Sequence, residues 1–275
     1  MSTISITGLT TSTDLQILLF IIGAWVFSTG LLYRYLLYDT HGNIWLSLAE
    51  QIASLLRLGL IGNTESAVYE ANRAVEEHKR QNVHLTKFYD ILIFVEDRKF
   101  RSHRGISLKA LARALLGYLG YKRHSGGSTL TQQLARTLLV MEFQKTLRRK
   151  LVELPLAFWA ERAFGKDQIL DLYLASVRYA RNANGILDAL KHYFGGIEIE
   201  ITEAHVFFLV ERVSNIQDKI LASKIDDTLR QAVEHEVIDR DTAKQVVEIY
   251  CDMVERKKLH PQDTASFQRL ITNWT

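Results

Sequence analysis

The sequence predicts an all-α protein with one membrane-spanning helix near its amino-terminal end. Three observations carry that expectation. Prolines and glycines number only two and fifteen in 275 residues, whereas a protein of many short strands needs more turn residues. In several segments apolar residues recur at helical spacing. And one stretch, LQILLFIIGAWVFSTGLLY from Leu15 to Tyr33, holds no charge at all. With 47% hydrophobic residues over this length, the chain can build one sizeable domain with small additions.

Taken in order, residues 1–14 are a short lead-in without Lys or Arg. At 1.5 Å per residue the Leu15–Tyr33 run crosses a hydrocarbon core of roughly 30 Å. Trp25 lies within it, and Tyr33, Tyr35 and Tyr38 gather where an interfacial belt would sit, so residues 15–38 are assigned as the anchor. No basic n-region and no small-residue cleavage site is evident, which points to an uncleaved anchor. Arg34 alone follows the span, and by the positive-inside rule that single residue would put the rest of the chain in the cytoplasm. Residues 39–62 form a juxtamembrane segment in which Ile44, Leu48, Ile52, Leu55 and Leu56 make an amphipathic helix, lying on the membrane or packing on the domain. The sequence turns polar near Asn63, the expected start of the main domain.

In LTKFYDILIFVEDRKFRSHRG, Tyr89, Leu92, Ile93 and Val95 are expected in the core, and Glu96 follows them directly. Burial would raise the pKa of that carboxyl and suit it to a basic role, while Arg98, Lys99 and Arg101 would lower it. The sequence leaves this balance open, and a surface ion pair is the alternative. A helix at Leu108–Leu116 then dissolves into Gly117, Gly120, Gly126 and Gly127, a composition that fits a flap touching lipid or a plain loop.

The stretch HSGGSTLTQQLAR follows. Thr129 and Gln132 fit a capping box, and Leu130, Leu134 and Leu138 form one stripe. Ser128, Gln133 and Arg136 are left without a structural reason. The free N–H groups of a helix start suit an anion, so a polar anion site is expected here. In TLRRKLVELPLAFWAERAFG, Arg149 and Lys150 stand four and three residues before Glu153, placing two cations beside one carboxylate. Leu151, Leu154, Phe158 and Trp159 suggest a buried helix, which Pro155 is expected to kink. KDQILDLYL and ANGILDALKHYFGG read as further helices, with Tyr173, Tyr193 and Phe194 in the core. Cys251, the one cysteine, allows no internal disulfide and reads as a buried thiol.

Net charge is only +3, but between Arg98 and Lys150 thirteen Lys and Arg residues face a single acid, Glu142. Such a stretch implies an anionic partner: nucleic acid, lipid headgroup or phosphorylated substrate.

VEDRKFRSHRG, GGSTLTQQLAR, RKLVE, ILDLYL and GILDALKHYFGG occur in the order and spacing of the peptidoglycan glycosyltransferases. These comprise the monofunctional enzymes and the transferase domains of class A penicillin-binding proteins, and the chain resembles them over about Val83 to Leu221. The resemblance implies a lysozyme-like all-α domain at 63–221, followed by a helical extension at 222–275. It implies a single-pass protein of the bacterial inner membrane with its catalytic domain in the periplasm, against the inference from Arg34. The implied reaction joins lipid II units into β-1,4-linked glycan with inversion and releases polyprenyl pyrophosphate. The implied partners are lipid II, the growing glycan, the membrane and cell-wall synthesis or division proteins, and no nucleic acid.

Carried over by position, Glu96 corresponds to the family's first catalytic glutamate, a general base, and Glu153 to the second. Glu153 would orient the pyrophosphate or a divalent metal, Mg2+ or Mn2+. Asp97, Arg98, Phe100, Ser128, Thr129, Gln132, Gln133, Arg136, Arg149 and Lys150 would bind substrate, while His103 would be structural. The chain departs from the family pattern at Arg136-Thr137 (usually Lys-Asn), at Ala175 (usually Asn), in SVRYARNANG, at Pro155 and in ERVSNIQDKI. These departures motivate a second reading, a transferase-like scaffold with weakened catalysis that recruits cell-wall machinery. A lysozyme-like hydrolase is a third reading, which the cations beside Glu153 disfavour.

Overall fold

The computed structural model describes residues 43–60, 63–107, 128–141, 147–214 and 217–275, and this part of the chain is mostly helical. The expected anchor at 15–38 and the expected flap at 108–127 lie outside it. Among the described residues no helix is long and apolar enough to cross a membrane.

Helix α1 (Asn43–Leu56) packs along α5 (Leu147–Ala163). Buried Ala49 and Ala53 let the two helices approach closely, and Trp45 stacks on Phe158 with ring centroids 4.6 Å apart. Of the two options for the amphipathic segment, the described part therefore packs on the domain. Helix α2 (Thr64–Arg80) begins where the composition shifts, its first turn capped by Asn63, whose side-chain oxygen accepts from the Ser66 N–H at 3.0 Å. Near its end His78 is buried between two elements. Its Nδ1 lies 2.6 Å from the Ala74 carbonyl and its Nε2 accepts from the Leu187 N–H at 3.3 Å. That pairing requires the neutral ring, and burial accordingly holds the His78 pKa below its ordinary value.

A single 3-10 turn leads into α3 (Tyr89–Glu96), whose last residue is Glu96. Helix α4 (Leu130–Leu139) packs against α2, α5 and α6 (Lys166–Ser176), with Leu130 and Leu134 fully buried along the expected stripe. Helix α5 continues through Pro155 without a break. Proline removes one helix hydrogen bond, but Pro155 is buried among the well-packed Val152, Leu156 and Trp159, and that packing outweighs the loss. Leu151, expected in the core, is 45% exposed.

The segment SVRYARNANG forms the small antiparallel pair β1 (Arg178–Ala180) and β2 (Ala183–Asn184), leading into α7 (Gly185–Phe194). Gly185 has φ +74°, and a Cβ there would lie 2.2 Å from the Ala175 carbonyl oxygen, so no other residue fits. The middle of helix α8 (Glu203–Ser214) is apolar on every side: Val206, Phe207, Phe208, Leu209 and Val210 are all buried, as befits a helix in the core.

After β3 (Lys219–Ile220) come α9 (Ala222–Glu234), α10 (Arg240–Glu255), β4 (His260–Pro261) and α11 (Thr264–Trp274). The extension is not an appendage. Helix α10 packs on α8, β3 pairs in parallel with β4, and Ile225, Leu229, Tyr250, Met253 and Leu259 are fully buried in the same core as the preceding helices. Cys251 is half-buried.

Candidate active site

The site is built on the amino-terminal turn of α4. Thr129 Oγ1 accepts from the Gln132 N–H at 3.2 Å, and Gln132 Oε1 accepts from the Thr129 N–H at 3.0 Å, which completes the capping box. The Thr129 hydroxyl also donates to the Gly105 carbonyl at 2.6 Å. The anion expected at this helix start belongs to the protein itself: Asp97 Oδ2 accepts from the Leu130 N–H at 3.1 Å and pairs with His103 Nε2 at 2.8 Å. Lys166 fixes the same turn, donating to the His103 carbonyl and lying over the face of buried Phe100. Thr129, Gln132, Asp97, Phe100 and His103 thus form the frame, and their groups are engaged within the protein.

This frame sets Glu96 beside Gln133, whose amide Nε2 donates to Glu96 Oε2 at 3.0 Å. The Gln133 carbonyl accepts from the hydroxyl of fully buried Tyr173 at 3.0 Å, so the amide orientation is fixed from behind. Thr137 donates to the Gln133 backbone carbonyl at 2.9 Å. Burial pushes the Glu96 carboxyl above its ordinary value, against the hydrogen bond from Gln133 and the charges of Lys224 and Arg136. The cations next to Glu96 in sequence turn elsewhere. Arg98 lies over Phe94 and donates to Gln231 Oε1 at 2.6 Å, and Arg101 pairs with Asp167 at 2.6 Å. The balance that the sequence leaves open falls to desolvation.

Glu153 is fully buried on α5. Arg149 Nε lies 2.8 Å and Lys150 Nζ 2.7 Å from its two oxygens, and Arg136 reaches to 3.8 Å from α4. Lys150 also donates to the Ser128 hydroxyl. Arg136 and Lys150 remain partly exposed, so positive charge faces outward above the buried carboxylate.

The three residues of HSGGSTLTQQLAR without a structural reason therefore all meet this site. Ser128 holds Lys150, Gln133 holds Glu96, and Arg136 approaches Glu153. Gln133 and Arg136 stand three apart on α4, where side chains are neighbours, so one helical turn joins the two carboxylates. Of the expected substrate-binding residues, Asp97, Phe100, Thr129 and Gln132 serve the frame, and Arg98 is directed away, onto α9. Tyr173 was expected only in the core; its buried hydroxyl, which needs a partner, was the available signal of its place behind Gln133 and Glu96.

A divalent metal was expected at Glu153. Its carboxylate is already contacted by two cations with a third near it, and among the described residues no group of three His, Cys, Asp or Glu side chains converges. This donor set does not suit Mg2+ or Mn2+.

The site is thus a desolvated carboxyl, Glu96, and a cation-ringed carboxylate, Glu153, joined by one turn of α4 in a helical domain, an arrangement consistent with the glycosyltransferase class. More particularly, the chain belongs to the Transglycosylase family, whose model matches residues 65–241. It is similar to penicillin-binding protein 1A of Rickettsia conorii, 31% identical over 167 residues, covering 57% of this chain and 21% of that protein. It is likewise similar to monofunctional glycosyltransferases of Staphylococcus epidermidis (31% over 134 residues) and Staphylococcus saprophyticus (34% over 134 residues). These two matches cover 49% of this chain and 48% and 47% of the relatives, so the chain spans about half the length of the monofunctional relatives and about a fifth of the larger one.

Proposed function

We propose that this protein is a membrane-anchored peptidoglycan glycosyltransferase with a lysozyme-like fold, which polymerises lipid II into β-1,4-linked glycan. The observation that carries this reading is the turn of α4 on which Gln133 holds Glu96 and Arg136 approaches Glu153. Glu96, ionised, takes the proton from the acceptor sugar's 4-hydroxyl. The freed oxygen attacks the anomeric carbon of the donor, the bond to the pyrophosphate oxygen breaks, and the configuration inverts. Negative charge then grows on the departing polyprenyl pyrophosphate, where Arg136 and Lys150 stabilise it. Glu153 holds those cations in place, with Arg149 completing its neutralisation. The anchor at 15–38 would hold the domain on the periplasmic face of a bacterial inner membrane, within reach of a lipid-linked substrate, the growing glycan and cell-wall synthesis or division proteins.

The test is polymerisation of fluorescent lipid II by the full chain in detergent or vesicles, with Glu96→Gln as control. Wild type is expected to give a ladder of glycan and the variant none. Absence of polymer from wild type, or equal polymer from the variant, would refute the reading.

A further inference from the structure

The face of α5 that carries Glu153 bears a second carboxylate. Glu153, Ala157 and Glu161 follow one another at i, i+4 spacing and so lie along one side of the helix. The Glu161 side chain is only 9% exposed. Its Oε1 accepts twice, from the hydroxyl of fully buried Thr131 on α4 at 2.6 Å and from Lys166 Nζ at 2.8 Å. The Lys166 ammonium also donates to the His103 carbonyl at 2.7 Å. Between the two glutamates, the loop that follows Glu96 rests on the helix. A Cβ at Gly105 would lie 2.8 Å from the Ala157 carbonyl oxygen and 2.9 Å from Glu161 Cγ.

Stability alone is a weak reason for this cluster. A mostly buried ion pair recovers little beyond its desolvation cost, and Lys166 opens α6, where the helix dipole disfavours a cation. Its connections supply a stronger one. Glu161 shares a rigid helix with Glu153. Thr131 shares α4 with Gln133 and Arg136. His103 pairs with Asp97, the residue after Glu96. Helix α4 already joins the two parts of the site through Gln133 and Arg136, but a single link leaves them free to pivot about it. Glu161 and Lys166 add a second link, so that α4, α5 and the loop after Glu96 close into a ring.

We infer that Glu161 and Lys166 are positioning residues that fix Glu96 relative to Glu153 and its cations. Neither touches the reacting atoms. They act through Thr131, His103 and Asp97, and the reaction needs them because base and leaving-group cations must engage two bound sugars at once, where a misplacement of about 1 Å costs about 10²-fold in rate. This rests on the reading of Glu96 as the base.

Full-length wild type, Lys166→Met and Glu161→Gln are compared in detergent by two readouts. One is the division of lipid II polymerisation into kcat and KM. The other needs no turnover: the side-chain amide resonances of Gln133, assigned by their loss in Gln133→Ala, report its hydrogen bond to Glu96. Lys166→Met keeps the apolar stem over Phe100 but removes both donations. It is expected to lower kcat at least about tenfold with KM little changed, and to shift the Gln133 resonances. Glu161→Gln retains an oxygen that accepts from Thr131 and Lys166, and is expected to keep both readouts near wild type. Either readout at its wild-type value in folded Lys166→Met, or a Glu161→Gln variant as impaired as Lys166→Met, would overturn the inference. Should Lys166→Met fail to fold, Thr131→Val, which removes the donor on α4 at nearly constant volume, decides by the same two readouts. If wild type makes no polymer, the functional reading fails, and the Gln133 resonances alone decide whether the ring holds Glu96.

Discussion

Glu96 and Glu153 carry the same group in opposite settings, and the same substitution should affect them oppositely. The raised Glu96 pKa means that the folded protein prefers the protonated carboxyl. Its contribution to stability is complete below the ordinary carboxylate range and is lost as pH rises through the folded-state value. Glu96→Gln keeps the shape and can still accept from Gln133. It is therefore expected to melt higher than wild type at neutral pH and equally in acid, by calorimetry at both pH values, while polymerisation falls by about 10²–10⁴-fold. Glu153→Gln leaves Arg149, 3% exposed, beside a neutral amide. A loss of about 3–5 kcal/mol is expected in denaturant unfolding. The rate of the wild type should decline on acidification from above the ordinary carboxylate range, since the base must be ionised. Gln133 adds a constraint: an amide N–H donating to Glu96 cannot receive a proton. On the proposed mechanism the proton taken from the acceptor must therefore leave outward, toward solvent, and small buffer bases should accelerate any step limited by its departure.

At the scale of elements, what was legible in the sequence was what lies within one helix. The capping box joins residues three apart, the leucine stripe follows the helical repeat, and the Arg149, Lys150 and Glu153 cluster is fixed by i, i+3 and i, i+4 spacing. The rest depends on partners far along the chain. Asp97 meets the N–H of a residue 33 positions on, and the destinations of Arg98 and Arg101 are Gln231 and Asp167. The ionisation of Glu96 could not be settled before those destinations were known. The continuity of α5 through Pro155 depends likewise on packing that no local propensity reports. Helix α4 is the element on which both parts of the site converge. Thr129→Ala, which removes its cap, is expected to cost about 1–2 kcal/mol of stability in denaturant unfolding. Tyr173→Phe tests the support behind the base: it strands the Gln133 carbonyl, and about 1–3 kcal/mol should be lost together with polymerisation, while circular dichroism remains that of the wild type.

For the whole molecule, the sequence resemblance suggested a transferase domain at 63–221 followed by a helical extension at 222–275, and one core runs across that point. A chain cut after Leu221 loses Ile225, Leu229, Tyr250 and Met253, all fully buried. At about 1.5–3 kcal/mol for each large apolar side chain, that loss rivals a typical net stability of about 5–15 kcal/mol. The truncated chain is expected to show no cooperative melting transition by near-UV circular dichroism. The same long reach constrains how the protein is made. The partner of His78 lies 109 residues downstream and that of Arg98 lies 133 downstream. At a ribosomal pace of about 5–20 residues per second, the early helices wait on the order of ten seconds for the segments that cover them. During that interval their apolar sides need a chaperone or the membrane surface for shelter, and translation rather than collapse sets the tempo of the first half of the fold.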